Sequence, residues 1–258
     1  MKKYCSDLTV VSVESLSDKH VLIRLTQDTP FPDMIPGQFV EVRVDDSPTT
    51  FLRRPISINY VDRDKNEFWL LVAAIGDGTR RLARLQTGDR LNCLFPLGNG
   101  FTMPRAKTDK ILLIGGGVGI APLLFFGKAI KDFGAVPTFL LGARTAADLL
   151  ELDAFRQMGR VLITTEDGTM GECGFVTNHT VLQQEHFDQI STCGPKPMMM
   201  AVARYAHANN IECEASLENK MACGLGACLC CIEKTQEGNI CVCKEGPVIN
   251  IKKLLWQL

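Results

Sequence analysis

The chain has almost no excess charge and few histidines, and both shortages exclude classes of function. Its 28 lysines and arginines nearly balance 29 aspartates and glutamates, giving a formal net charge of -1. This balance provides no electrostatic basis for binding nucleic acid or an anionic membrane. The four histidines form no cluster that suggests a metal site or a nucleophile–base pair, and no serine lies in a nucleophile elbow. Hydrolase chemistry is therefore not expected.

Long apolar runs are also missing. No segment is long enough to span a bilayer, and the basic start MKKYCSDLTV has no apolar stretch before a cleavage site. Cysteine, in contrast, is abundant, with 11 residues among 258. A disulfide scaffold is not expected in a chain of this length without a secretion signal, so we predict a reducing, cytoplasmic location. Hydrophobic residues make up 46% of the chain, enough for two modest domains and a small appendage.

Four of the cysteines, near the C-terminus, form the most specific pattern in the sequence. Cys223, Cys228 and Cys231 stand in the run CGLGACLCC, and Cys243 follows in CVCKEGPV. The spacing C-x4-C-x2-C followed by a distant cysteine is that of plant-type [2Fe–2S] ligands. The glycines between the first two cysteines let the backbone wrap around a small inorganic core and direct amide groups at the sulfurs.

Zinc is the alternative metal, because thiolates suit both zinc and iron–sulfur clusters. Structural zinc sites favour C-x2-C pairs that are set well apart. Here only Cys228 and Cys231 form such a pair, so the spacing favours the cluster. Cys230 and Cys241 are close enough in sequence to compete as ligands. We interpret them as packing cysteines, because free cysteine often behaves as a small buried hydrophobe.

The first hundred residues have the pattern of a β domain. Short segments rich in β-branched residues, several of them alternating, predict strands at Val10–Val13, His20–Leu25, Gln38–Val44 and Glu67–Ala74. Turn residues separate these segments, and strands at such spacing indicate a barrel or a sandwich.

An alternating pattern of strands and helices follows. We predict strands at Lys110–Ile114, Thr138–Leu141 and Val161–Thr164, and helices at Pro122–Phe133 and Ala147–Arg160. This order indicates a parallel α/β sheet. With a polar boundary at Met103–Asp109, the predicted domains are 1–103, 109–213 and a cysteine-rich subdomain at 214–258.

A glycine-rich turn, Gly115-Gly116-Gly117-Val118-Gly119-Ile120-Ala121-Pro122, joins the first of these strands to its helix. Backbone N–H groups and the helix start at such a turn can bind a pyrophosphate, which favours nucleotide binding over a plain tight turn. Pro122 stands where the dinucleotide fingerprint has a third glycine or alanine. Arg144, rather than an acidic residue, follows the next strand, so the sequence leaves open whether NAD or NADP is bound.

Together these features resemble the ferredoxin–NADP reductase superfamily, whose members join a flavin-binding β-barrel to a nicotinamide-binding α/β domain. Arg54-Pro55-Ile56-Ser57 is similar to the R-x-x-S flavin motif at the end of a barrel strand, and Gly76-Asp77-Gly78-Thr79 is similar to a second flavin motif. Cys193-Gly194-Pro195-Lys196-Pro197-Met198 resembles the C-G-P-x-P-M turn near the nicotinamide. The resemblance implies an N-terminal antiparallel FAD-binding β-barrel, a parallel α/β NAD-binding domain and a small C-terminal [2Fe–2S] subdomain.

The resemblance also implies which residues contact the cofactors. For FAD they are Arg54, Pro55, Ile56, Ser57, Leu71, Val72, Ala73, Gly78 and Thr79. For NAD they are Gly115, Gly116, Gly117, Gly119, Pro122, Cys193, Gly194, Pro195 and Met198, with Cys193 near the nicotinamide. Val72-Ala73 stands where the family often has Tyr-Arg, so only backbone contacts with FAD are expected there.

The cysteine run narrows the match, because CGLGACLCC followed by CVCKEGPV resembles the electron-transfer subunits of type B dihydroorotate dehydrogenases. This resemblance implies an oxidoreductase subunit of pyrimidine (UMP) biosynthesis. It would carry electrons from the FMN of a dihydroorotate-oxidising catalytic subunit through [2Fe–2S] and FAD to NAD⁺, in a heterotetramer with two copies of each subunit. The alternatives are a flavin/iron–sulfur subunit of another complex, of the ferredoxin–NADP reductase or sulfhydrogenase type, and a zinc-stabilised binding protein.

Overall fold

A closed antiparallel barrel forms the first part of the molecule. The computed structural model describes residues 2–257. The barrel strands are β1 (Tyr4–Ser17), β2 (His20–Thr26), β3 (Phe39–Val42), β4 (Arg54–Asp62), β5 (Glu67–Ala73) and β6 (Arg90–Leu97), with the short helix α1 (Asp77–Leu82) after β5. They close in the order β1-β2-β5-β4-β3-β6. The predicted barrel is therefore confirmed.

Alternation along the strands fills the barrel. Leu8 and Val10 of β1 are fully buried, as are Ile23 and Leu25 of β2, because residues two apart share one face of a strand. The side chains that point inward belong to one hydrophobic cluster that includes Phe68 of β5. The interior is thus a packed core, and ligand sites lie on the outside of the barrel.

A seven-stranded sheet forms the second layer. In chain order its elements are β7 (Ile111–Gly116), α2 (Ala121–Phe133), β8 (Pro137–Ala143), α3 (Leu152–Met158), β9 (Arg160–Thr165), β10 (Glu172–Cys173), α4 (Val181–Gln184), β11 (Gln189–Cys193), α5 (Lys196–Ala208) and β12 (Glu212–Ser216). The strand order in the sheet is β10-β9-β8-β7-β11-β12, and a seventh strand from the C-terminal region lies at the far edge, next to β12. The pairings among the first six are parallel, which confirms the predicted α/β sheet.

The cysteine-rich region is inserted between two strands of this sheet. After β12 come the hairpin β13 (Ile232–Thr235) and β14 (Gly238–Cys241), the helix α6 (Val242–Glu245) and β15 (Val248–Asn250). Strand β15 pairs antiparallel with β12 as the seventh strand. The division at 213/214 remains a prediction, and the outermost residues of the predicted domains, Met1 and Leu258, lie outside the described residues. None of the helices in residues 2–257 is long and apolar enough to cross a membrane.

The helix predicted at Ala147–Arg160 is wrong over its first half. A 3-10 turn covers Ala146–Asp148, and α3 begins only at Leu152. Between them Glu151 has φ of 54°, in the left-handed region that breaks a helix. Its side chain accepts a hydrogen bond from Asn59 Nδ2 at 2.9 Å, so a contact with the barrel overrides the local helical pattern.

Candidate functional site: a cysteine loop and two cavities

The four predicted cluster ligands come together at one loop. Three residues in the loop have positive φ: Gly224 at 66°, Gly226 at 78° and Leu229 at 58°. These conformations curl the chain so that its amide groups point at the sulfurs. Leu225 N lies 3.3 Å from Cys223 Sγ, and Gly226 N lies 3.1 Å from Cys243 Sγ.

The sulfurs are arranged as two pairs. Cys223 and Cys228 interact side chain to side chain, and so do Cys231 and Cys243. A further bond joins Cys243 N to Cys231 Sγ at 3.4 Å. Within residues 2–257, no three His, Cys, Asp or Glu side chains are placed to hold a single metal ion. Two thiol pairs suit the two irons of a [2Fe–2S] cluster, each of which takes two protein ligands.

The loop also favours the thiolate form of Cys223. Burial raises the pKa of Cys223, but hydrogen bonds from the amides of Leu225, Cys228 and Ala227 outweigh it and lower the pKa to about 6. A thiolate is the form that binds metal. Cys231 and Cys243 are buried while Cys228 is exposed, so the loop has one side in the protein and one side at the surface.

The interpretation of Cys230 as a packing cysteine is wrong. Cys230 is exposed, whereas Cys241 is half-buried and packs against the core beneath the loop. Cys230 stands between two predicted ligands, Cys228 and Cys231. Leu229 and Cys230, the two residues between these ligands, are both exposed, so neither packs in the core.

A cavity of about 220 Å³ lies where the barrel, the sheet and the segment that leads into the cysteine loop meet. Six residues of the predicted FAD set line it: Pro55, Ile56, Ser57, Leu71, Ala73 and Thr79. The walls from the sheet and the C-terminal region include Ala121, Ser216, Glu218 and Met221. Val72 is different, because its side chain is fully buried in the barrel core and is not among the lining residues.

Arg54 and Gly78 lie side by side next to this cavity. A Cβ atom on Gly78 would come within 3.0 Å of both Arg54 Nε and Thr50 Cγ2, so a side chain there would crowd both neighbours. The Arg54 guanidinium donates to the carbonyls of Leu52 and Arg53. It forms no ion pair with any of the residues 2–257. A guanidinium without a carboxylate partner, beside a glycine, fits the pyrophosphate of a flavin dinucleotide.

The glycine turn after β7 packs directly against the turn after β11. A Cβ atom on Gly119 would lie 2.4 Å from Gly194 Cα, and one on Gly116 would lie 2.6 Å from Met198 Sδ. Gly194 itself has φ of 145°, a conformation that favours glycine. The two predicted nicotinamide motifs are therefore one structural unit, held together because neither turn carries side chains at the contact.

A larger cavity, of about 580 Å³, opens beside this unit. Gly116, Gly117, Pro195 and Met198 of the predicted NAD set line it. Gly115, Gly119, Pro122, Cys193 and Gly194 do not line it. Gly115 instead packs on Ile120, and Pro122 is buried in the first turn of α2.

Sequence reasoning missed several residues of this cavity. Glu166 and Phe175 line it, and His20 reaches it from the barrel. Arg144, which the sequence places after the second strand of the sheet, lines it as well. Glu166 had no role assigned to it from the sequence. One signal could have found it, because Glu166 directly follows β9, and ligands bind at the carboxyl ends of parallel strands.

Cys193 lies in the interior near the first cavity. It is 1% exposed, and its Sγ is 3.9 Å from Glu218 Oε1. Burial raises the pKa of the Cys193 thiol well above its ordinary value, and burial also raises the pKa of Glu218. The neutral Cys193 thiol therefore donates to a carboxyl group that lines the first cavity. Nothing in the sequence pattern indicated Glu218.

Glu41 on β3 is a second buried carboxyl group that sequence reasoning missed. It is fully buried, and burial raises its pKa to about 7, against the opposing effect of Arg53. Neither of its carboxyl oxygens has a hydrogen-bond partner among residues 2–257.

Comparison with known proteins agrees with this geometry. Residues 218–255 match the family described as the iron–sulfur cluster binding domain of dihydroorotate dehydrogenase B, and residues 113–204 match the oxidoreductase NAD-binding domain. The chain is similar to proteins named dihydroorotate dehydrogenase B (NAD(+)), electron transfer subunit. The relative from Shouchella clausii is 40% identical over 85% of this chain and 86% of its own. The relative from Bacillus velezensis is 38% identical over 98% and 99%.

Solved structures share the fold over most of this chain. A chain from the NADH-dependent reduced ferredoxin-NADP oxidoreductase, described in connection with flavin-based electron bifurcation, superimposes with a TM-score of 0.87. The match covers 97% of this chain and 90% of that one at 27% identity. The ferredoxin reductase of carbazole 1,9a-dioxygenase matches with a TM-score of 0.68 and 20% identity, over 82% of this chain and 67% of that one, and shares the fold.

Proposed function

The chain belongs to the family of dihydroorotate dehydrogenase B (NAD(+)) electron transfer subunits, and from this premise we propose that it passes electrons from a dihydroorotate-oxidising partner to NAD⁺. Bound [2Fe–2S] and FAD supply the chemistry, the first carrying single electrons and the second converting between single electrons and a hydride. The protein holds these groups in order and shields them. The reaction serves pyrimidine (UMP) biosynthesis.

One observation carries the proposal: the flavin cavity lies between the cysteine loop and the nicotinamide turns. Phe39 and Met221 line the cavity on the side of the loop, and Met221 stands two residues before Cys223. Val118 and Ala121, from the glycine turn and the start of α2, line it on the other side. This order suits a carrier that receives single electrons at one end and delivers a hydride at the other.

We assign the cluster to Cys223, Cys228, Cys231 and Cys243, with each pair of thiols holding one iron. The loop amides that bond to Cys223 Sγ stabilise this ligand as a thiolate, whereas burial and the neighbouring Cys231 raise the pKa of Cys243 to about 12. Cys228 is the exposed member of the set, which supports the loop surface as the side that faces the partner.

We assign the FAD pyrophosphate to Arg54, Gly78 and Thr79, and the flavin ring to the cavity lined by Pro55, Ile56 and Ser57 together with Leu71 and Ala73. The apolar walls exclude water from the ring, which limits side reactions. In the second cavity, Gly116 and Gly117 permit close approach of a nicotinamide nucleotide to the backbone. Gly119 and Gly194 position that turn without contacting the nucleotide.

The partner is a catalytic subunit, since the relatives are named electron transfer subunits of a dehydrogenase. We further propose that this partner carries FMN and that two copies of each subunit assemble. We also propose a cytoplasmic location, because all eleven cysteines are free and suit a reducing compartment.

The test is co-expression of the untagged catalytic subunit with the tagged chain, followed by purification of the complex. The complex should reduce NAD⁺ when dihydroorotate is added, and neither subunit alone should couple the two reactions. A complex that oxidises dihydroorotate but reduces only ferredoxin or NADP⁺ would contradict the proposal.

A further inference from the structure

The buried carboxyl group of Glu41 occupies a position between the flavin site and the cysteine loop. On β3, Phe39 pairs with Ser57 and Glu41 pairs with Pro55, so the strand runs beside the R-x-x-S motif. Residues two apart share one face of a strand. Phe39 lines the flavin cavity on this face, and Glu41 is the next residue along it towards the cysteine loop.

Glu41 lies directly beneath the turn that follows the first predicted ligand. A Cβ atom on Gly224 would come within 2.7 Å of Glu41 Cγ and 3.5 Å of Glu41 Oε1. Gly224 has φ of 66° and follows Cys223 in the chain. The carboxyl group is therefore packed against the backbone of the loop, with no space for a side chain between them.

Nothing in the described part of the chain neutralises this carboxyl group through a hydrogen bond. Both oxygens are fully buried and lack partners among residues 2–257. Arg53 is close, but its Nη1 donates to the Glu41 backbone carbonyl at 3.1 Å rather than to the side chain. A buried charge of this kind is screened little by solvent or salt, so it acts on its neighbours at close range.

We propose that Glu41 is a positioning residue whose buried carboxylate lowers the reduction potential of the cluster held by Cys223. Adding an electron to a cluster beside an ionised carboxylate is unfavourable, and local charge is one of the factors that set cluster potentials. A lower potential favours passing the electron on to the flavin. This inference rests on the proposed function, because it requires the cluster.

The test is a redox titration of the purified, cluster-loaded protein at neutral and alkaline pH, monitored by electron paramagnetic resonance. Glu41→Gln and Glu41→Met remove the charge and keep a side chain of similar length. Glu151→Gln is the matched control, because it neutralises another buried carboxyl group whose neighbours are Asn59, Glu14 and Arg24. Iron and acid-labile sulfide are measured for every sample.

We expect both Glu41 variants to keep iron and sulfide and to show a higher midpoint potential. At a fixed applied potential the ratio of reduced to oxidised cluster should rise on the order of tenfold, which corresponds to about 59 mV for a one-electron couple. Glu151→Gln should leave the midpoint unchanged.

Three results would overturn the inference while leaving the proposed function intact: an unchanged midpoint in both Glu41 variants, a lower midpoint, or an equal rise in Glu151→Gln. Loss of iron from both Glu41 variants would also overturn it, because Glu41 would then serve assembly of the loop rather than its potential. Absence of any cluster signal in the wild-type protein would instead refute the proposed function.

Discussion

Glu151 joins the sheet domain to the barrel, and its replacement by glutamine has an effect that can be calculated. The Glu151 carboxylate accepts a hydrogen bond from Asn59 Nδ2 at 2.9 Å, and the same Nδ2 lies 3.3 Å from the carbonyl of Ala121 at the start of α2. Burial raises the pKa of Glu151 from 4.5 to about 7, despite the opposing hydrogen bond from Asn59. The folded protein therefore binds a proton at this site more tightly than the unfolded chain does.

The raised pKa fixes both the sign and the size of the effect on stability. Each pKa unit corresponds to 1.36 kcal/mol, so the shift is worth about 3 kcal/mol of unfolding free energy. Stability from this group is fully present below the unfolded pKa of 4.5 and is lost as pH rises through about 7. Glu151→Gln cannot ionise and can still accept the bond from Asn59. Relative to wild type, the variant should gain about 3 kcal/mol between acidic and neutral pH.

The assay is denaturant unfolding of cofactor-loaded protein at a series of pH values, with the difference between variant and wild type plotted against pH. Glu237→Gln is the control, because the side chain of Glu237 is 74% exposed and keeps its water on folding. Its difference curve should stay flat. A flat curve for Glu151→Gln as well would refute the account of this contact between the domains.

Three further predictions concern the cofactor sites. Gly119→Ala places a Cβ atom 2.4 Å from Gly194 Cα, so we expect overpacking to lower the free energy of unfolding by about 1–3 kcal/mol. The KM for NADH should rise while the flavin absorbance is retained. An unchanged KM would contradict the close packing of the two turns. Arg54→Ala should weaken FAD binding by about 1.5–3 kcal/mol in equilibrium dialysis, the range for a charged hydrogen bond, and unaltered affinity would remove Arg54 from the site. The Cys228→Ala variant should lose iron and should no longer pass electrons from the partner to NAD⁺, while NADH still reduces an artificial acceptor. Full electron transfer from the partner to NAD⁺ would exclude Cys228 as a ligand.

The sequence predicted the architecture because its signals were local and strong. The apolar run that became β7 is buried along its whole length. A Cβ atom on Gly115, Gly116 or Gly119 would come within 3 Å of a neighbouring atom, and Gly117 has a positive φ of 55°. Strands β4 and β6 were not predicted. The first contains Pro55 and the second contains Pro96, and proline weakens a strand pattern in the sequence. The R-x-x-S motif begins β4 rather than ending a strand.

The remaining differences arise from contacts between residues that are distant in the chain. Glu151 breaks a predicted helix because Asn59 lies 92 positions away in sequence and next to it in space. Glu41, Glu166 and Glu218 are ordinary acidic residues in the sequence, and only the fold makes them buried or places them at a cavity. Cys230 was assigned to packing because sequence does not show which side of a turn faces outward.

We propose that the two thiol pairs hold two irons that exchange single electrons with a flavin on the same chain. Electron paramagnetic resonance of the anaerobically purified chain, recorded before and after addition of NADH, tests it most directly. We expect the oxidised protein to give no paramagnetic resonance signal, and we expect the signal of a reduced [2Fe–2S] cluster to appear after NADH is added. A protein that bleaches its flavin with NADH but gains no iron signal, and contains zinc in place of iron and sulfide, would contradict it.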